Sequence, residues 1–141
     1  MIALLLAVAA QAAPVPATPM PGAIGEQRLP AKGCAAYLWS AVDRQLVAMA
    51  TADPATIRIS LGGKIVDLAR TGGDVGGAAR LGFADAAEYR GGDITARLTM
   101  DVVQQEGLTA GAKVPTGSLQ IDRAGQDGIV VPVAGLIGCR A

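Results

Sequence analysis

Strict alternation of apolar and polar residues is the feature of this sequence that most restricts its fold. It is clearest over residues 93–103, where every second residue is apolar. These positions are Ile94, Ala96, Leu98, Met100 and Val102. Successive side chains of a β-strand point to opposite faces of a sheet, so this period predicts a strand of an antiparallel sheet with one face buried. Residues 116–123 repeat the pattern, with Leu119 and Ile121 at the apolar positions.

Turn residues separate these alternating stretches. Gly62-Gly63 joins residues 57–61 to residues 64–70, which is typical of a β-hairpin. Asp127-Gly128 predicts a second hairpin turn, before an apolar run over residues 129–137.

A proline interrupts that last run. Pro132 has no backbone N–H to donate to a neighbouring strand. We therefore expect a sheet edge, a bulge or a strand end at this position.

Residues 34–50 admit two interpretations. Apolar residues recur there at helical spacing, at Leu38, Val42, Leu46 and Met49, and the alanines favour a helix. The alternative is a pair of strands, at residues 34–39 and 45–50, joined by a turn. We favour the two strands, because a first strand at Cys34 would pair readily with a last strand at Cys139. The predicted fold is then all-β: a single domain over residues 32–141, built as an antiparallel β-sandwich or a small β-barrel of about seven or eight short strands.

The two cysteines, Cys34 and Cys139, stand at the two ends of the predicted domain. In an oxidising compartment two cysteines of a small domain form a disulfide, and here it would place the first and last strands next to each other, with Cα atoms about 5 to 6 Å apart. The alternative, a redox-active or nucleophilic thiol, would need a C-x-x-C partner or an activating histidine, and the sequence offers neither.

The first thirty residues predict export. Residues 2–10 form an uncharged apolar run that is too short to cross a bilayer and fits the core of a signal peptide, which we place at residues 1–13. Residues 14–31 contain five of the eight prolines and predict a Pro/Ala-rich tether. The expected protein is periplasmic or secreted, with no integral membrane span after processing.

Charge and composition exclude several classes of function. Twelve basic residues balance twelve acidic ones, and aromatic residues make up only 3 % of the chain, which argues against nucleic-acid binding. The absence of histidine removes the Ser-His-Asp triad, the Cys-His pair and the imidazole metal ligand. We therefore predict a protein that is not an enzyme and that needs no metal or cofactor.

The aromatic side chains are the candidate recognition surface. Tyr37 and Trp39 share a face if residues 34–39 form a strand, and Phe83 and Tyr89 flank an acidic loop. Such rings are more often core residues, but an exposed one would be the best anchor for a partner. We expect the partner to be a protein or a cell-envelope glycan, and the oligomeric state stays open.

Two alternative functions belong to other classes. A glycan hydrolase can work with carboxylates alone, and the spaced acids that could supply them are Asp67, Asp74, Asp85, Glu88, Asp93 and Asp101. The second alternative is a purely structural protein of the cell envelope.

The general layout, a small exported antiparallel barrel with cysteines near both ends, resembles that of the periplasmic C-type lysozyme inhibitors. Their S-G-x-x-Y signature is absent, because the nearest stretch, Ala86-Ala87-Glu88-Tyr89, lacks both the serine and the glycine. The resemblance therefore assigns no role to any residue of this chain.

Overall fold

The computed structural model describes residues 20–73, 81–104, 107 and 110–140, and its regular structure is entirely β. The predicted signal peptide and the first part of the tether lie outside the described residues. The strands are β1 (Gly33–Ser40), β2 (Leu46–Ala52), β3 (Ala55–Leu61), β4 (Lys64–Gly73), β5 (Ala86–Gly91), β6 (Ile94–Val103), β7 (Gly111–Arg123) and β8 (Ile129–Arg140).

The eight strands form one closed antiparallel barrel. Each strand pairs with the next one along the chain, and β8 pairs with β1 to close the ring. This confirms the all-β prediction and selects the barrel over the sandwich. Residues 34–50 form two strands and no helix, as the favoured interpretation predicts. The Gly62-Gly63 hairpin is also confirmed, since Leu61 pairs with Lys64 around it.

Alternation along each strand divides the side chains between the barrel interior and the outer surface. On β6 the predicted apolar positions are all buried and face inward, while Arg97, Thr99 and Asp101 are exposed outside. The interior is filled by aliphatic side chains together with Phe83 and Tyr89. A space of about 10 Å³ beside these two rings is barely enough for one water molecule. This part of the barrel interior is therefore packed and does not form a ligand cavity.

A disulfide joins the first and last strands, as predicted. Cys34 and Cys139 are register partners on β1 and β8, and both pack against the interior core. Their Cα atoms are 4.0 Å apart, closer than the expected 5 to 6 Å. The Cys139 N–H donates to the Ala110 carbonyl, away from β1. The two cysteines are therefore a non-hydrogen-bonded pair, the kind in which facing residues of an antiparallel ladder approach most closely.

Pro132 lies where β1 has ended. The last pair between the two strands joins Ser40 to Val133, and the Pro132 carbonyl accepts a hydrogen bond from the Ala41 N–H of the following turn. The missing N–H of Pro132 thus faces a place with no strand to receive it. Because β8 itself continues through this position, the local sheet edge is the one of the three expected situations that the structure shows.

The chain reversal before β8 differs from its prediction. It lies at residues 124–126, where Gly125 has a φ of 77°, and not at Asp127-Gly128. Asp127 and Gly128 follow the reversal and lead into β8, because Ile129 already pairs with Ile121.

Residues 21–29, which we call the strap, pack across the outer surface of the barrel. The Gly22 N–H donates to the Ser60 carbonyl at 3.0 Å, and the Ile24 N–H donates to the Leu46 carbonyl at 2.9 Å. Beyond the pairing of Ala48 with Ile59, β2 and β3 no longer pair, so these carbonyls accept hydrogen bonds from the strap. Residues 14–31 were predicted to be an unpacked tether, and proline content alone does not reveal this contact.

Apolar side chains hold the strap in place. Ile24 is 4 % exposed and packs with Tyr37 and Met49 on the outer side of β1 and β2. Leu29 extends this cluster and lies next to Gly138 of β8. An Arg58 Nη1 to Gln27 Oε1 hydrogen bond of 2.7 Å adds a polar contact to β3.

Gly135 is the position at which β8 approaches β1 most tightly. A Cβ added there would collide with the backbone carbonyl of Tyr37. We expect Gly135→Ala to lower the free energy of unfolding by about 1–3 kcal/mol or more, because backbone of two paired strands would have to separate. Urea denaturation measures the effect. Gly72→Ala is the control, since its added methyl group meets nothing within 4 Å; equal stability of the two variants would contradict the prediction.

The disulfide closes a loop across 105 residues of sequence. In the chain-entropy model, crosslinking a loop of about 100 residues stabilises the native state by about 4 to 5 kcal/mol. The double variant Cys34→Ala/Cys139→Ala should lose a stability of this order in guanidinium denaturation. A loss below about 1 kcal/mol would show that pairing of β1 with β8 suffices without the crosslink.

Candidate functional site

The barrel separates the four predicted aromatic residues into two pairs. Phe83 and Tyr89 face the interior and are 4 % and 2 % exposed, so they are core residues. Tyr37 and Trp39 point outward from β1, but the strap covers Tyr37. Trp39, with 36 % of its surface exposed, is the only one of the four that can reach a partner. The four rings therefore do not form a common surface.

Three of the five predicted acids that the structure describes occupy ion pairs. Asp67 accepts from Arg58 at 2.8 Å, Glu88 from Arg90 at 3.1 Å, and Asp93 from Arg123 at 3.2 Å. The predicted acid at position 74 lies outside the described residues. Ion pairs of this kind on a surface each stabilise by at most about 1 kcal/mol. Their positive partners also leave these three carboxylates ill-suited to bind another cation.

The two remaining acids, Asp85 and Asp101, both line a groove on the outside of the barrel. The groove has a volume of about 840 Å³, within the range of ligand sites, and runs from the start of β5 across β6 to β7. Its walls are formed by residues 85–86, 99–103 and 115–117.

A bulge in β7 shapes the floor of the groove. The pairing register of β7 with β8 shifts between Val114 and Gly117, so that Pro115 and Thr116 both turn to the outside. Inward-facing residues are even-numbered before this bulge and odd-numbered after it, as Val114 and Leu119 show. A bulge re-aims side chains in this way because it inserts an extra residue into one strand of the pair.

Close approach of β6 to β7 completes the floor. A Cβ at Gly117 would lie 2.8 Å from the Thr99 carbonyl oxygen, so a larger residue would push the strands apart. The Thr116 hydroxyl donates to Asp101 Oδ2 at 2.6 Å and orients that carboxylate. The Met100 N–H donates to the Asp85 carbonyl at 2.9 Å, which fixes the Asp85 backbone beside β6.

The groove combines negative charge with an apolar margin. Within the described residues neither Asp85 nor Asp101 is in an ion pair, in contrast to Asp67, Glu88 and Asp93. Val103, 45 % exposed, and Pro115 supply apolar surface beside the two carboxylates. Lys113, the register partner of Val103, borders the groove but does not line it. Such a surface can bind a cationic group through charge-assisted hydrogen bonds.

The sequence gives only part of this site. Alternation places Thr99 and Asp101 on the outer face of β6, but it does not tell which residues of other strands lie beside them. The β7 bulge reverses the parity of that strand, and Pro115 is the one local sign of an irregularity. Asp85 reaches the groove from a bend before β5, outside any periodic pattern.

Comparison of the chain with protein-family models, curated proteins and solved structures finds no match. Among the described residues, no three acidic or cysteine side chains are grouped as a metal site would require. That part of the chain also contains no helix with the length and hydrophobicity needed to span a bilayer.

The two tyrosines make the free energy of unfolding depend on pH in the alkaline range. Burial raises the pKa of Tyr89 above its ordinary value of 10.0, an effect that the nearby Arg70 cation partly opposes. Burial also raises the pKa of Tyr37, and Arg140 opposes it. The folded protein therefore keeps phenol protons that the unfolded chain releases near pH 10. Their contribution to stability is complete below that pH and is lost as the pH rises through the folded-state values.

We expect the free energy of unfolding to fall above about pH 10 in the wild-type protein and to fall less steeply in Tyr89→Phe. Urea denaturation at a series of pH values measures this, and tyrosinate absorbance of Tyr37→Phe follows Tyr89 alone, since the chain has two tyrosines. Identical pH profiles for wild type and Tyr89→Phe would contradict the assignment.

Proposed function

We propose that the protein is an exported, non-enzymatic binding module, and that the groove between β5 and β7 binds a basic segment of another protein. The observation that carries the proposal is that Asp85 and Asp101 line one groove and that neither is paired with a cation among the described residues. Carboxylates that lack a cationic partner are available to lysine or arginine side chains of a ligand.

The shape of the molecule supports a polymeric ligand. The interior beside Phe83 and Tyr89 is filled, which leaves the outer surface for binding. The groove is open along its length and crosses three strands, so it can accept an extended chain. The apolar margin at Val103 and Pro115 would contact the aliphatic stems of lysine or arginine while their charged ends reach the carboxylates.

Export is part of the proposal. A small β domain with a disulfide is compatible with an extracellular location, because cytosolic thiols are kept reduced. The apolar run over residues 2–10 and the small residues that follow it support a signal peptide over residues 1–13. The mass of the protein recovered from outside the cytoplasm would locate the cleavage site.

A glycan hydrolase is the second candidate function, and the same groove favours it. Asp85 and Asp101 would supply the two carboxyl groups that glycoside hydrolysis needs, one as the acid and the other as base or nucleophile. This candidate places catalysis on residues other than the ion-paired Asp67, Glu88 and Asp93.

Removal of the two negative charges tests the proposal. We expect Asp85→Asn/Asp101→Asn to bind a fluorescent Gly-Ser-Lys repeat peptide about tenfold more weakly than wild type, since two exposed ion pairs of roughly 0.7 kcal/mol each would be lost. Fluorescence anisotropy measures the affinity. The wild-type protein should also discriminate against the matching Gly-Ser-Glu peptide, and its affinity should fall with added salt.

Asp67→Asn/Asp93→Asn is the matched control, because it also removes two negative charges, from acids that lie outside the groove. Equal affinity of the groove variant and this control would contradict the proposal. Tighter binding to a partly deacetylated chitin oligomer than to the lysine peptide would assign the groove to an envelope glycan. Release of reducing ends, abolished in Asp85→Asn or Asp101→Asn, would instead establish the hydrolase.

A further inference from the structure

The outer face of β8 is apolar along most of its length. Its outward positions are Val130, Pro132, Ala134, Leu136, Gly138 and Arg140. Val130 is 60 % exposed and Leu136 is 48 % exposed. By contrast, the outward positions of β6 include the polar residues Arg97, Thr99 and Asp101, which are favoured where a side chain contacts solvent. Contiguous apolar surface of this kind indicates a protein contact.

Trp39 adds to this face from the neighbouring strand. It is the register partner of Ala134, so its exposed indole lies at the middle of β8. Val42, 68 % exposed, follows in the turn whose Ala41 N–H binds the Pro132 carbonyl. We call the surface formed by Trp39, Val130, Pro132, Ala134 and Leu136 the β8 face.

The strap covers the surface next to the β8 face but leaves the face itself open. Tyr37, the register partner of Leu136, is buried under the strap, whereas Leu136 stays exposed. The apolar outer surface therefore continues past the part that the chain covers with its own residues.

Charges at the two ends of the β8 face have opposite sign. Lys113 is the register partner of Leu136, and Arg140 ends the strand, so this end is positive. At the other end the Asp122 carboxylate lies against Gly128. In the adjoining turns Asp43 and Asp127 outnumber Arg44, so this end is negative. A uniformly negative membrane would attract one end and repel the other, so the charge distribution favours a partner with the opposite polarity along the same direction.

A second copy of this chain has that polarity. With a two-fold axis at Ala134, position 136 faces position 132 of the other copy, 138 faces 130, and 140 faces 128. Leu136 then contacts Pro132, and Val130 contacts Leu29 of the strap, which lies over Gly138. Arg140 reaches the Asp122 carboxylate beside Gly128. A two-fold interface must be complementary to itself in this way.

We infer that two copies of the protein associate through the β8 face, with the two Trp39 side chains near the two-fold axis. The inference is independent of the groove, which lies across β5, β6 and β7. Tryptophan at the centre of an interface, surrounded by aliphatic residues, is the arrangement that contributes most to association.

Mass and fluorescence measurements on the disulfide-bonded protein test the inference. Light scattering after size-exclusion chromatography should give a concentration-dependent dimer. Because Trp39 is the only tryptophan, its emission should shift to shorter wavelength as the dimer forms. Leu136→Lys should weaken dimerisation about tenfold or more, while Ile65→Lys, at an equally exposed apolar residue on β4, should leave it unchanged.

A charge exchange distinguishes the proposed geometry from other dimers. Arg140→Glu should weaken the dimer, and adding Asp122→Lys should restore it. The two residues lie about 40 Å apart along one β8, given about 3.4 Å per residue, so they can meet only across the interface. A monomer at every concentration up to about 0.5 mM, or no rescue, would overturn the inference. Binding of the monomer to anionic vesicles, lost in Leu136→Lys, would also overturn it.

Discussion

Closure of the barrel through β1 and β8 is the constraint on which the rest of the structure depends. These strands stand at opposite ends of the folded chain, and bringing them together costs more chain entropy than forming any of the hairpins. The Cys34–Cys139 disulfide offsets part of that cost by keeping the two ends joined in the unfolded state. Gly135 makes the contact sterically possible, because any side chain there would meet the backbone of Tyr37.

Because the barrel interior beside Phe83 and Tyr89 is filled, the proposed binding surfaces lie on the outside. Phe83 and Tyr89 occupy the space that a ligand carrier of similar topology would leave for its ligand. The outer surface carries two distinct features instead. The β7 bulge forms part of an acidic groove, and the adjoining strand β8 presents an apolar face. The proposed binding in the groove and the proposed association through β8 use different side chains.

Sequence patterns predict the parts of this structure that depend on one strand at a time. Alternation identifies the inward residues of β6, and the paired cysteines predict that the first and last strands are neighbours. The choice between sandwich and barrel depends on which strands pair, and alternation carries no information about that. The strap was missed because its prolines suggest an unpacked chain, whereas Ile24 contacts side chains from β1 and β2 that are distant in sequence. The sequence identifies Asp85 and Asp101 as candidate acids, but their presence in one groove depends on the register of β5, β6 and β7.

Ring closure also determines how this surface can evolve. Within the described residues every strand has a neighbour on both sides, so only short stretches of free edge remain to which a partner or an aggregating chain could add a strand. A partner must therefore bind mainly through outward-facing side chains. These alternate with the core residues along each strand. Substitutions at outward positions can accumulate with little effect on the interior. The same scaffold can thus acquire new binding surfaces without losing its fold. Its closed sheet also limits aggregation by strand addition while such substitutions accumulate.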